Sequence, residues 1–248
     1  MSARRTVLSR LGFVCRVVAV PVACAASLGL VGALSPSPAG ASSSGRTALV
    51  GTFKITPGAC FGAAVSGTYF RMIDPKGSVA TGPFFSNPDS TCPNHTFTLA
   101  VPGTQGGLVT GHYQPNPTPA FSATGGALAS DIVQPQSFTA IDFSIATNKK
   151  DPQTGQSVPC PQIWVKNGKL SGQVEAWSAA WNKLYFNQGS PKPNGSHPGL
   201  TLPISGTYNA STHAYLLTWS SQVVGGPFNG FTGYWHLAGT FVPAKGSK

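Results

Sequence analysis

The sequence predicts an all-β fold, a single antiparallel β-sandwich or β-barrel of about ten strands, and three observations predict it. Beyond residue 45 the chain reads as short apolar-alternating runs, broken by Gly, Pro, Asn and Ser at intervals of about ten residues. A five-residue pattern (apolar, any, Gly, any, aromatic) recurs as LVGTF 49–53, VSGTY 65–69, VTGHY 109–113, ISGTY 204–208, FTGYW 231–235 and LAGTF 237–241. Its spacing is irregular, so it is no solenoid or propeller period. A glycine inside a strand permits a bend, a bulge or an aromatic laid over it, which a strongly curved sheet needs. Finally, hairpin chemistry stands between alternating runs, most plainly at Asn167-Gly168 in QIWVKNGKLSGQV.

In chain order, the first element is an export leader. Arg4, Arg5 and Arg10 precede the apolar run VVAVPVACAASLGLVGAL, 17–34, and Ala39-Gly40-Ala41 is a small-residue cleavage pattern. Basic, apolar and small-residue regions in that order make residues 1–41 a secretory signal peptide. Pro21 within the run favours cleavage over a retained anchor, so no membrane attachment is expected afterwards. The paired arginines leave general secretion and twin-arginine export both open. The remainder, 42–248, is expected to be one all-β domain with a flexible lead-in over 42–47. Removing 41 of 248 residues leaves 207, long enough for a self-sufficient core.

The run SFTAIDFSIAT, 137–147, alternates as one strand with Thr139, Ile141, Phe143 and Ile145 on one face. QVEAWSAAWNKLYF, 173–186, suits a helix by its alanines and a strand by its continuity with the Asn-Gly hairpin. The hairpin favours a strand. ISGTYNASTHAYLLTW places a polar turn, Asn209 to His213, between two strands. GGPFNGFTGYWHLAGTF, 225–241, is glycine-rich without being a phosphate loop, because no helix follows. It reads as a loop feeding a strand, with Trp235, Leu237 and Phe241 on the core face and Tyr234 and His236 on the other.

Composition narrows the function classes. Of sixteen basic residues four belong to the leader; the other twelve against six acidic ones give a net charge of +6. The lysines are scattered among turns rather than gathered on a face, which, with export, argues against nucleic acid. Weak attraction to an anionic cell-envelope polymer remains. Past the leader the cysteines are Cys60, Cys92 and Cys160, which allow three single bridges; turn contexts favour Cys60–Cys92, worth about 3–4 kcal/mol in the chain-entropy picture. No two histidines fall within five residues of each other and no C-x-x-C occurs, so neither a metal nor a cofactor is expected. Asn94, Asn194 and Asn209 begin glycosylation sequons.

The chemistry-bearing candidates are few. Asp142 and Glu175 are the one carboxylate pair worth testing against a polysaccharide hydrolase, which needs two such groups across a sugar bond. Trp177, Trp181 and Tyr185 would make a sugar-stacking platform if exposed. Tyr234 and His236 would line the lumen of a barrel. The leading expectation is therefore an exported, non-enzymatic binding or structural module with carbohydrate as the favoured ligand class. The alternatives are a barrel carrier of a small apolar ligand and the hydrolase.

Overall fold

A computed structural model describes residues 45–246. The leader expected over 1–41 lies outside them. The described chain is all-β, with short strands and one 3₁₀ turn at Pro193–Gly195. The N-terminal third carries β1 (Thr47–Ala48), β2 (Gly51–Ile55), β3 (Ala59–Phe61), β4 (Ala64–Ser66), β5 (Tyr69–Ser78), β6 (Gly82–Phe84) and β7 (Thr98–Leu99). The middle carries β8 (Gly107–Val109), β9 (Gln136–Phe138), β10 (Ile141–Thr147), β11 (Gln162–Lys166), β12 (Lys169–Gln173), β13 (Trp177–Trp181) and β14 (Leu184–Asn187). The C-terminal third carries β15 (Leu202–Tyr208), β16 (Ala214–Gln222) and β17 (Thr232–Pro243). The strands outnumber the ten expected because many are only two or three residues long.

Every pairing between these strands is antiparallel. An eleven-stranded sheet runs β1-β11-β12-β15-β16-β17-β2-β8, with β5 branching from β17 and carrying β6 and β7. A four-stranded sheet runs β14-β13-β10-β9. The branch arises because β17 is twelve residues long and its partners on one side are short: β2 covers Gly239–Pro243 and β5 covers Thr232–His236. Thr68 closes the gap, its hydroxyl donating to the Ala238 carbonyl and accepting from the Ala238 amide.

The core lies between the two sheets. From the small sheet, Trp177 stands edge-on against Trp219 of β16 and Trp235 of β17, at 5.1 and 5.3 Å between ring centroids. Gln188, just past β14, bridges the sheets with polar contacts: its carbonyl accepts from the Trp219 indole, and its Oε1 from the Trp235 indole. The recurrent glycines explain themselves by close approach. A Cβ at Gly239 would lie 1.9 Å from the Lys54 carbonyl oxygen, and one at Gly233 would lie 2.0 Å from Gln188 Oε1 and 3.0 Å from the Phe70 ring. A neighbouring carbonyl, an amide and an aromatic ring therefore take the space a side chain would need.

Local expectations fare unevenly. Asn167 and Gly168 both take positive φ and join β11 to β12 in a two-residue hairpin. His213 takes φ 57 before β16, and Asn209 Oδ1 accepts the amides of Ser211 and Thr212. The segment 173–186 is strand on both sides of an Asn182-Lys183 turn with positive φ at both residues. The run 137–147 is not one strand. It folds back at Thr139-Ala140 (φ 52 and 63), so Ile141 faces Phe138 as a partner. A distant loop holds that turn: Asn87 Oδ1 accepts the Thr139 amide, and Asp89 Oδ2 accepts the Ala140 amide and the Ser137 hydroxyl. Cys60 and Cys92 form a disulfide, compatible with an oxidising compartment. Among the described residues no helix is long and apolar enough to cross a membrane.

Candidate ligand-binding face

The strand β17 alternates strictly, so Trp235 and Leu237 enter the core while Tyr234 and His236 leave it on the opposite side. On β5 the same rule sends Phe70 and Met72 inward and Tyr69 and Arg71 outward. The register then fixes their neighbours. Tyr69 pairs with His236 and Arg71 with Tyr234. Leu99 lies beyond Tyr69 on β7, and Thr218 lies beyond His236 on β16, with Ser205 of β15 after it. The outer face is thus a grid of aromatic rings and hydroxyls around one arginine.

Its rings touch. Tyr69 stacks on His236 at 4.3 Å with planes 11° apart, meets Phe97 edge-on at 5.1 Å, and sits 6.5 Å from Tyr234 at 49°. The Arg71 guanidinium lies 3.2 Å from the Phe84 ring centroid and 4.2 Å from that of Phe97. Cation–π contact of this kind holds it in place. One Nη donates to the Thr96 hydroxyl at 2.9 Å, while the buried Nε has no partner. Among the described residues, the groups acting electrically on Arg71 are the phenols of Tyr69 and Tyr234, not a carboxylate.

Partial burial sets the protonation states. Desolvation, then the neighbouring Tyr234, pushes the Tyr69 phenol up to about 12, with Arg71 pulling the other way. Tyr234 is raised chiefly by burial too. Burial holds His236 below the ordinary histidine value, opposed by its bond to the Gly67 carbonyl. Near neutral pH the face therefore carries two neutral phenols, a neutral imidazole and one guanidinium charge.

The other candidates fall elsewhere. Trp177 is fully buried and Trp181 is 9 % exposed, its indole donating to the Phe138 carbonyl. Neither offers a face to a sugar, so the platform expected from Trp177, Trp181 and Tyr185 does not exist as such. The reason is that β13 belongs to a second sheet whose inner face meets Trp219 and Trp235. Tyr185, half-buried on β14, packs on Phe121. Asp142 and Glu175 do not converge. With Thr147 opposite Trp177, Asp142 lies five residues along β10 in the direction away from Glu175. At about 3.3 Å per residue their backbones are roughly 15 Å or more apart.

Tyr234 and His236 face no lumen. The interior space between the sheets belongs to the opposite side of the strand, lined by Phe70, Phe138, Phe143, Trp181, Phe228 and Trp235, and its cavity is only ≈ 50 Å³. Typical small-molecule pockets are roughly 300–1,000 Å³. Aromatic side chains from both sheets, and Phe228 from the 225–230 loop, fill the rest. Among the described residues no three His, Cys, Asp or Glu side chains gather as a metal site.

Sequence reasoning missed Tyr69 and Arg71. A signal existed: beyond residue 41 the chain has only two arginines, and Arg71 is the one inside an alternating run, TYFRMID. The chain matches no known family, no curated protein and no solved structure.

Proposed function

We propose that this chain is an exported, non-enzymatic binding module, a β-sandwich in architecture, that takes an acidic carbohydrate on the outer face of β5, β17 and β16. The observation that carries the reading is the cluster of Tyr69, Tyr234 and His236 around Arg71 on one sheet face, its guanidinium paired with no carboxylate among the described residues. Sugars present apolar C–H faces to aromatic rings and hydroxyls to polar side chains. The tyrosine, threonine and serine hydroxyls of this face supply the second kind of partner. Arg71 favours a carboxylate- or sulfate-bearing saccharide, because an arginine fork binds such groups through paired hydrogen bonds. A net charge of +6 beyond the leader assists association with an anionic envelope polymer.

The carboxylates expected for a hydrolase lie apart and the interior cavity is small, so both alternatives lose their structural support. The test is titration of the secreted protein with uronate-containing and neutral oligosaccharides. Binding of the acidic ones, weakened by salt and lost in Tyr69→Ala and Tyr234→Ala, is the expected result. Absence of binding to any member of a broad glycan panel would discard the reading.

A further inference from the structure

Away from the outer face, a second site is built where the 151–156 turn meets the chain leaving β14. A cleft of ≈ 220 Å³ has an exposed rim that includes Gln153, Thr154, Asn194 and Ser196, and a buried floor of Asp151, Asn187 and Lys192. Lys192 is 4 % exposed, unusual for a lysine. Its Nζ donates to the Asn187 backbone carbonyl at 2.5 Å and approaches the Asn187 side-chain oxygen at 3.4 Å.

The cluster around it is otherwise satisfied. Asp151 Oδ1 accepts the amides of Gln153 and Thr154 and the Thr154 hydroxyl; its Oδ2 accepts from Asn187 Nδ2. The carboxylate is thus engaged by neutral donors and acts on Lys192 only through space. An ammonium carries three donors, and the two oxygens offered both belong to Asn187. A neutral amine fits that pair with both of its N–H groups and keeps a lone pair. Burial accordingly brings the Lys192 amine down to about 7, against the pull of Asp151.

A primary amine that gives up its proton near neutral pH at the floor of an open cleft is a nucleophile for carbonyl carbon. We propose that Lys192 captures small aldehydes as an imine within this cleft. The Nζ lone pair forms the C–N bond while the carbonyl π pair moves to oxygen. The nitrogen gives up its two protons and the oxygen takes up two, leaving as water while the nitrogen lone pair closes the C=N bond: amine plus aldehyde yields imine plus water, with no redox change.

The reaction is independent of carbohydrate binding on the outer face and is tested separately. The secreted protein is treated at pH 7 with glycolaldehyde and cyanoborohydride, which fixes an imine as a secondary amine, and the lysines are mapped by peptide mass spectrometry. Lys192 is expected to be labelled at least tenfold faster than the exposed Lys54, Lys166 and Lys169. Labelling of Lys192 no faster than the exposed lysines overturns the proposal.

Discussion

Arg71 and Lys192 are both cations withdrawn from water, and they meet opposite fates. Arg71 lies between the rings of Phe84 and Phe97, with phenols beside it, and its ordinary affinity for the proton is so high that burial leaves the charge in place. Lys192 sits deeper, with two oxygens of a single asparagine for partners, and burial there removes the charge near neutral pH. What separates them is the reserve of basicity as much as the surroundings. A guanidinium can be half-buried on a sheet and still present a charge to a ligand. An ammonium at a cleft floor becomes a base.

The largest expected effect tests the lysine side of that contrast. A lysine with its folded value depressed binds fewer protons in the native state than in the unfolded one between about pH 7 and pH 10.5. Stability should therefore rise with pH across that window, by a few kcal/mol in total, and be lost as pH falls through about 7. Near pH 10 the buried phenols act the other way. Tyr69, Tyr215 and Tyr234 are all raised by burial, so the unfolded chain ionises first and stability declines. Urea midpoints from pH 6 to 11 should show a maximum between pH 9 and 10. Lys192→Met should abolish the ascending limb and keep the descending one. A surviving ascent in that variant would mean that another group causes it.

The arginine side predicts a smaller effect with a different signature. Arg71→Lys keeps the charge and loses the planar contact with Phe84 and Phe97 and the fork for an acidic group. Affinity for a uronate-bearing oligosaccharide should fall about tenfold, equivalent to about 1.4 kcal/mol, while the protein stays folded. His236→Phe preserves the ring stacked on Tyr69 and removes the bond to Gly67. It should change affinity by less than about threefold, since burial holds the imidazole below the ordinary histidine value and it brings no charge to the face near neutral pH. If Arg71→Lys binds as well as the parent, the charge alone matters and the fork argument fails.

How much of this was legible in the sequence follows from the range of each interaction. Period-two alternation is local, so the inward and outward faces of β17, with Trp235 and Leu237 against Tyr234 and His236, could be read directly. So could the Asn167-Gly168 turn, whose backbone preference lies in its own two residues. What could not be read was decided by other segments. Trp177 and Trp181 alternate correctly, but which side of β13 meets water depends on a second sheet closing over it. Thr139-Ala140 carries no hairpin signal, and the turn exists because Asn87 and Asp89, about fifty positions earlier, accept its amides. Lys192, between two prolines, resembles any surface lysine until Asn187 and Asp151 are folded around it.

That unlabelled turn supplies the smallest prediction and a control for both sites. Thr139 and Ala140 adopt positive φ, a conformation costing roughly 1–2 kcal/mol per residue outside glycine, less for asparagine. Replacing them with Asn-Gly, the pair this hairpin geometry prefers, should relieve part of that cost. The substitution keeps the backbone amides that Asn87 and Asp89 hold and loses only the short-range bond from the Thr139 hydroxyl to Phe138. The net gain should be about 1 kcal/mol, a rise of a few degrees in the unfolding temperature for a domain of this size. Neither saccharide affinity nor the Lys192 labelling ratio should move. A shift in either would mean that the loop carrying Phe97 and Thr96 transmits the state of this turn to the outer face or beyond, and that the two regions are not independent.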